Sequence, residues 1–131
     1  MAKSRNRLFA ELLTSAYAGE GSEAPEASVG VFETTVAGDG NTAIDSVSSS
    51  TAAAVTYHVV ASYNGAYQYS TIAAVKNNEG GMDYNEYGVL ETNDSALAAY
   101  SVVINNGNIT LYADPINSST KFRSTRIVVE E

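Results

Sequence analysis

The strongest constraint on the fold is the alternation of apolar and polar residues on both sides of Asn64-Gly65. An apolar or aromatic residue recurs at every second position between Val55 and Tyr63, and again, with Thr71 as the one exception, between Tyr67 and Val75. A period of two is typical of a β-strand with one buried face. Asn-Gly is the preferred pair for a two-residue type I′ turn, because both central residues need positive φ. The sequence therefore predicts an antiparallel β-hairpin in the middle of the chain.

Further short segments have the same β-rich character and are separated by turn residues. They are residues 29–36, a weaker segment at 44–47, and residues 82–90, 97–104, 109–113 and 121–129. Asn105-Asn106-Gly107-Asn108 predicts a second hairpin. Seven to eight short strands with no helix between them favour an all-β body, an antiparallel β-sandwich or jelly-roll, over residues 28–131.

The first 18 residues differ in kind from this body. Leu8, Leu12 and Leu13, with Phe9 and Ala16, have the spacing of a short amphipathic helix. Such a helix is marginal in water, so we expect it to form only against another surface. Residues 19–27 are rich in Gly, Ser, Pro and Glu and predict a linker. The predicted organisation is an N-terminal docking arm at 1–18, a linker at 19–27 and a β-domain at 28–131.

Charge is unevenly distributed along the 131 residues. Lys3, Arg5 and Arg7 contribute +3, so the remaining residues carry −11 of the formal net charge of −8. An acidic body repels nucleic acid, and the basic arm is complementary to the body of a neighbouring copy. No apolar run approaches the roughly 20 residues that span a bilayer. Neither nucleic acid nor membrane is therefore predicted as a partner.

The reactive side chains do not form a recognisable catalytic or metal-binding motif. The absence of cysteine and the single histidine, His58, exclude thiolate sites and multi-histidine metal sites within one chain. His58 as a general base is the sharper hypothesis, but a lone strand histidine is more often exposed or hydrogen-bonded in place. Asp39-Gly40-Asn41 with Asp45, and Asp83 with Glu86, lack the spacing of a calcium loop and are predicted to be solvated turn residues. We therefore predict no catalytic residue, no metal and no cofactor.

Tyrosine is the dominant aromatic residue, with nine copies against three of phenylalanine. Packing in the core or at its rim is the expected role for most of them. Tyr63 and Tyr67 flank the Asn64-Gly65 turn, however. Because tyrosine offers a large contact area at a small entropic cost, this tip is a candidate recognition loop.

Two parts of the chain resemble structural proteins of marine tailed bacteriophages, especially cyanophages. The start, Met1-Ala2-Lys3-Ser4-Arg5, resembles the M-A-[NK]-S-R signature that opens many of these proteins. Residues 84–89, 101–111 and 121–127 are similar to a β-domain of such virion proteins. The resemblance implies a non-enzymatic virion structural protein, present in many copies and assembled in the host cytoplasm.

The resemblance leaves two locations in the virion open. The favoured prediction is a capsid decoration (cement) protein, usually a trimer, which would pair Lys3, Arg5 and Arg7 with the major capsid protein or another virion subunit. Its apolar docking residues would then be Leu8, Phe9, Leu12 and Leu13. The alternative is a tail, neck or fibre module whose loop tip at Tyr63, Asn64, Gly65 and Tyr67 binds a host receptor or a neighbouring tail protein. A small sandwich-fold hydrolase is a third class, for which the sequence shows no acid–base constellation.

Overall fold

The computed structural model describes residues 27–36 and 40–131, which form eight β-strands and one 3-10 turn. The strands are β1 (Ala27–Thr35), β2 (Thr42–Ser48), β3 (Ala52–Tyr63), β4 (Ala66–Lys76), β5 (Met82–Glu91), β6 (Ala98–Asn105), β7 (Asn108–Pro115) and β8 (Lys121–Glu130). The 3-10 turn covers Thr92–Asp94 and lies in the connection between β5 and β6, which belong to different sheets. Within these described ranges, no helix is long and apolar enough to cross a membrane.

The strands form two antiparallel sheets. The large sheet has the order β1-β8-β3-β4-β5, and the small sheet has the order β2-β7-β6. Strands β3, β4 and β5 pair in succession as hairpins. The chain then forms β6 and β7 of the small sheet before β8 returns to the large sheet and pairs with β3. This is a Greek-key arrangement. The first strand pairs with the last, β1 with β8, in the large sheet, and the second pairs with the last but one, β2 with β7, in the small sheet.

A single hydrophobic core lies between the sheets. Tyr100 on β6 packs edge-on against Phe122 on β8, with the ring centroids 6.1 Å apart and the planes at 82°. The fully buried side chains come from both sheets: Val55, Tyr57, Val59, Ile72 and Phe122 from the large sheet, and Val102, Ile109 and Leu111 from the small one. Because both sheets contribute to one core, the body is a β-sandwich.

Both predicted hairpin turns are confirmed. In the first, Tyr63 pairs with Ala66, and the two residues between them have positive φ, 50° for Asn64 and 82° for Gly65. In the second, Asn106 and Gly107 have φ of 52° and 78°. These are the values that a type I′ turn requires and that asparagine and glycine tolerate best.

The all-β prediction with two antiparallel sheets is confirmed, and each predicted strand is present within a few residues. The weak segment around Ile44 is a full strand, because its backbone pairs with β7 from Thr42 to Ser48. The predicted amphipathic helix at 1–18 lies outside the described residues, as does all of the predicted linker except Ala27, which begins β1.

Candidate functional site

The solvent side of the large sheet is the candidate site, and we call it the outer face. Alternate residues of β8, β3, β4 and β5 lie on it in five rows that follow the strand register. Each row is given in the order β8, β3, β4 and β5, starting from the end nearest Ala27, and the last row has no β5 member. The rows are Val129, Ala54, Val75 and Asp83; Ile127, Thr56, Ala73 and Asn85; Thr125, His58, Thr71 and Tyr87; Arg123, Val60, Tyr69 and Leu90; and Lys121, Ser62 and Tyr67. The intervening residues of β3 and β8, such as Tyr57 and Phe122, point into the core.

The apolar side of β4 belongs to this outer face rather than to the core. A two-residue turn pairs Tyr63 with Ala66, so residues facing the core on β3 are opposite Gln68, Ser70 and Ile72 on β4. The more apolar set of β4, which includes Tyr67, Tyr69 and Val75, is consequently turned outward. Tyr67 is 57% exposed and Val75 is 49% exposed. Exposed apolar side chains grouped on one face of a sheet are typical of interaction surfaces.

In the four strands of these rows, charged residues lie only at the row ends, and β1 extends the sheet beyond β8 with Glu33 in register with Arg123. Asp83 occupies the corner at the β5 end of the first row, and Lys121 and Arg123 occupy the β8 ends of the last two rows. The positions between them are apolar or uncharged, and include Val60 at 37% exposure and Leu90 at 70% exposure. The part of the face formed by β8, β3, β4 and β5 therefore has a neutral centre.

The outer face has shallow depressions at both ends. One of about 450 Å³ lies near the Asp83 corner, between Ala54, Thr56 and Val75. Two others adjoin at Val60 and Tyr67. The depression of about 300 Å³ extends towards Lys121 and Arg123, and that of about 400 Å³ extends towards Leu90. All are open to solvent, so they suit a broad contact better than a small enclosed ligand.

A short chain of hydrogen bonds lies at the centre of the outer face. Nδ1 of His58 lies 2.9 Å from the hydroxyl of Tyr69, which lies 3.1 Å from the hydroxyl of Thr71. The His58 and Tyr69 rings are stacked at 6.3 Å. His58 is thus a strand histidine hydrogen-bonded in place, as expected from its sequence position. The groups that follow His58 in this series of hydrogen bonds are the hydroxyls of Tyr69 and Thr71. A general base is commonly oriented by a carboxylate instead.

The structure separates the residues of the predicted recognition loop. Asn64 and Gly65 form the exposed tip of the β3–β4 hairpin, and Tyr63 packs against the core. Tyr67 lies on the outer face, and its backbone N–H donates a hydrogen bond to the Thr92 hydroxyl at 3.0 Å. Tyr67 therefore belongs to the outer face, and receptor binding by the tip stays a prediction. The predicted docking arm, with Lys3, Arg5, Arg7, Leu8, Phe9, Leu12 and Leu13, lies outside the described residues.

Asp45 is not the solvated turn residue that the sequence suggested. Its side chain is 2% exposed, and Nη1 of Arg126 donates to both of its carboxylate oxygens, at 2.8 and 2.9 Å. The pairing of β2 with β7 shifts register between Ala43 and Asp45. This bulge inserts Ile44 and places Asp45 on the inner side, where Arg126 of the opposite sheet meets it. Asp83 and Glu86 are exposed, as expected, and Asp39 lies outside the described residues.

Gln68 is a second contact between the sheets that the sequence did not indicate. Its side-chain oxygen accepts hydrogen bonds from the backbone N–H groups of Leu97 and Ala98, and its Nε2 donates to the Ala98 carbonyl at 3.0 Å. The residue is 2% exposed. A buried amide with three hydrogen bonds to one backbone segment fixes how β6 enters the small sheet.

Two tyrosines that contact the core, the buried Tyr57 and the half-buried Tyr100, have perturbed ionisation. Burial raises the pKa of the Tyr57 phenol well above its ordinary range, and the negative charge of Asp45 adds to this effect while Arg126 opposes it. Burial likewise raises the pKa of Tyr100, with a smaller contribution from Glu86. Both phenols therefore stay neutral in the folded core. In the part of the chain that the structure describes, no group of three or more His, Asp or Glu side chains is placed to hold a metal.

Comparison with known proteins gives a similarity in fold. No protein-family model matches the chain, and no curated protein matches it. Among solved structures, the chain is similar to the tailspike protein of Acinetobacter baumannii phage AM24, with a TM-score of 0.51 and 7% identity. The match covers 79% of this chain and 26% of the tailspike chain. The similarity therefore concerns the fold, and this chain spans about a quarter of that protein's length.

Proposed function

We propose that this protein is a non-enzymatic structural subunit of a bacteriophage virion, assembled in the host cytoplasm. The observation that carries the proposal is the similarity of its β-sandwich to part of a phage tailspike, over 79% of the chain. The resemblance of Met1–Arg5 to the opening signature of phage structural proteins supports it independently, because these residues lie outside the β-body. The exposed apolar outer face is the kind of surface that a protein buries when it is built into an assembly.

The tail is the first location that we propose within the virion. The similar structure belongs to a tailspike, and a β-sandwich that forms a quarter of such a chain is suited to be one module of a larger assembly. In this role the Asn64-Gly65 tip and the adjoining Tyr67 would contact a host receptor or a neighbouring tail protein. Tyrosine beside a rigid turn provides contact area at a small entropic cost.

Capsid decoration is the second candidate, and the composition of the N-terminal arm favours it. Lys3, Arg5 and Arg7 precede the apolar residues Leu8, Phe9, Leu12 and Leu13. Each apolar side chain that is buried on docking to the major capsid protein would contribute about 1.5–3 kcal/mol, whereas exposed ion pairs add roughly 0–1 kcal/mol. The apolar residues would set the affinity, and the cations would set the orientation. A trimer is the arrangement that the phage resemblance implies for this role.

Truncation of the arm tests whether it joins the protein to its assembly. We expect a chain lacking residues 1–18 to keep the far-ultraviolet circular dichroism of the full chain and to be absent from purified particles. A control with Lys3, Arg5 and Arg7 replaced by Gln should still be incorporated, at reduced yield, because the apolar residues dominate. Normal incorporation of the truncated protein would contradict docking through the arm.

Electron microscopy of particles carrying a labelled copy separates the two locations. A regular lattice of label over the capsid supports decoration, and label confined to the tail or to one vertex supports a tail module. Absence of the protein from purified particles would overturn the virion proposal as a whole.

The non-enzymatic part of the proposal has its own test. The full chain, incubated with polysaccharide, ester and peptide substrates, should release no product. Product release by the wild-type chain that is lost in a folded His58→Gln variant would contradict this part, because His58 is the residue with the chemistry of a general base.

A further inference from the structure

Strand β5 is an edge of the large sheet, and it is exposed on both faces. Within the described residues it pairs only with β4, so one side of its backbone has no strand beyond it. The small sheet has three strands against five and does not cover the inner side of β5, and every residue from 83 to 90 is exposed. An edge of this kind is a template to which an extended segment can add as a further strand.

The surroundings of this edge are acidic. Residues 77–97 contain no lysine or arginine but contain five acids, namely Glu79, Asp83, Glu86, Glu91 and Asp94. Lys76, the charged residue of β4, is already paired, because its Nζ lies 2.7 Å from Oε1 of Glu131. Strand β6, which contacts β5 from the small sheet, carries no charge. Since two β5 edges have the same sign, the edge repels a second β5 and favours a basic strand.

A bulge determines the spacing of two of these acids. Glu86 is opposite the buried Ile72 and Glu91 is opposite the buried Gln68, so both glutamates lie on the inner side of β5. The register shifts between them, where Gly88 has φ of 64°. The two glutamates are five residues apart in sequence, but their partners on β4 are four residues apart. Without the bulge the two carboxylates would lie on opposite faces of the strand.

We propose that residues 3–7 of a second copy add to the β5 edge as an antiparallel strand. In an extended segment, Lys3, Arg5 and Arg7 all point to one side, because successive side chains alternate. Lys3 and Arg7 are four residues apart, which equals the separation of the two glutamates along the β4 ladder. The basic side of the arm therefore matches the acidic inner side of β5 in both sign and spacing.

The matched register places Arg7 opposite Glu86 and Lys3 opposite Glu91, with Arg5 between the two acids. We choose the antiparallel direction because its hydrogen bonds are the more stable. Exposed ion pairs are individually weak. Backbone hydrogen bonds would hold the segment, and the charges would decide which segment is accepted. Five residues are an ordinary strand length, and the pairing leaves the residues from Leu8 onwards for docking to the virion.

The strand order favours a second copy as the source of the arm. The described body begins at Ala27 in β1, on the edge of the large sheet opposite β5. Four strand spacings of about 4.8 Å separate these two edges, which is about 19 Å. The arm therefore joins the body on the far side of the sheet from its own β5. Contact between the arm of one copy and the β5 of the next is head-to-tail, and such contacts can close into rings.

The inference rests on the proposed function in that a virion subunit is present in many copies. A trimer is the ring that the phage resemblance implies. In the proposed docking role the cations orient the arm, and the further inference names the surface that would orient them, which is the β5 edge of a neighbouring copy.

Two full-length variants test the contact by sedimentation velocity over a range of concentrations. In the arm variant, Lys3, Arg5 and Arg7 are replaced by Gln, and β5 is intact. In the edge variant, Glu86 and Glu91 are replaced by Lys, and the arm is intact. The wild-type chain should form a closed oligomer, with a trimer expected. Each variant alone should associate at least about tenfold more weakly, because each loses the attraction between unlike charges.

A mixture of the two variants gives the decisive result. The arm of the edge variant should bind the β5 edge of the arm variant, and the complex should stop at a heterodimer because neither variant has both elements. Failure of the mixture to associate would overturn the proposal. A wild-type monomer at every concentration would also overturn it, and would indicate that the arm binds its own β5 or another virion protein.

A matched glutamate controls for net charge. Glu130 is exposed on β8, which β3 and β4 separate from β5. Glu130→Lys should leave association unchanged, and circular dichroism establishes that every variant is folded. Equal weakening by Glu130→Lys and by the edge variant would overturn the assignment to β5.

An exchange of charges within one chain tests the register. Arg7→Glu and Glu86→Arg should each weaken association, and a chain that carries both should recover it, because these residues are opposite each other. A chain with Lys3→Glu and Glu86→Arg should not recover, since like charges then meet at both ends. Recovery by the second chain and not by the first would overturn the antiparallel register.

Hydrogen exchange tests the addition of a strand directly. A synthetic peptide of residues 1–9, added to the arm variant, should slow exchange at alternate amides of β5, because every second N–H of an antiparallel edge faces the added strand. A peptide of the same composition with its three cations consecutive is the control. Equal protection by both peptides would overturn the matched spacing. A monomeric chain that still enters particles would overturn only this contact, whereas an oligomer absent from particles would overturn only the virion role.

Discussion

Arg126 on β8 donates hydrogen bonds from Nη1 to both carboxylate oxygens of Asp45 on β2, at 2.8 and 2.9 Å. The pair joins the large sheet to the small one, and the two side chains are only 15% and 2% exposed. Arg126 also donates to the Ser46 carbonyl at 3.2 Å. Because the pair is buried, breaking it leaves one charge inside the protein without its partner.

Replacement of one partner should therefore destabilise the body more than replacement of both. We expect Asp45→Ala to lower the free energy of unfolding by about 3–5 kcal/mol, and the double change Asp45→Leu with Arg126→Met to lower it by clearly less. Urea unfolding followed by circular dichroism measures both. A double variant that is less stable than Asp45→Ala would contradict the expectation and show that the ion pair itself is strongly stabilising.

Gln68 should be essential for the order of the segment that precedes β6. Gln68→Leu removes the acceptor for the backbone N–H groups of Leu97 and Ala98. Leaving buried groups unpaired costs about 1–3 kcal/mol each. We expect faster amide hydrogen exchange at Leu97 and Ala98, with little change at the β3–β4 pairing. As a control, Tyr67→Leu changes a neighbouring exposed side chain and should leave exchange at both amides unaltered.

Much of the secondary structure could be predicted because its signals are local. The alternation in β3 and the Asn64-Gly65 pair depend on neighbours in sequence, so the hairpin position follows from the chain itself. The same turn also determines that Gln68 and Tyr63 lie on one side of the sheet and Tyr67 on the other. Adjacent apolar residues at Val59 and Val60 are a further sign that both faces of β3 are apolar.

The contacts between the sheets could not be predicted, because they depend on pairing between distant residues. Asp45 and Arg126 are 81 positions apart, and they meet only because β2 pairs with β7 while β8 pairs with β3. The bulge that turns Asp45 inward has no local sequence signal. Gln68 looks like an ordinary polar strand residue until the backbone of Leu97 is placed beside it.

Alkaline conditions should weaken the fold through Tyr57 and Tyr100. Burial raises the pKa of both phenols in the folded protein, whereas the unfolded chain loses these protons near the ordinary value of about 10. The contribution of the two groups is therefore fully present below about pH 10 and is lost as the pH rises above it. Urea midpoints measured at rising pH should fall more steeply for the wild type than for a Tyr57→Phe, Tyr100→Phe variant. Equal slopes would contradict the assignment to these two residues.

The type I′ turn at the hairpin tip should be sensitive to the loss of glycine. Gly65 has φ of 82°, and a Cβ built there has no atom within 4 Å, so any cost of Gly65→Ala is conformational rather than steric crowding. An alanine held in the left-handed region costs about 1–2 kcal/mol. Gly40 provides the matched control, because its Cβ would also meet nothing within 4 Å and its φ is not in the positive range. We expect Gly40→Ala to change the free energy of unfolding by less than about 0.5 kcal/mol. Equal effects of the two substitutions in urea unfolding would contradict a strained backbone at Gly65.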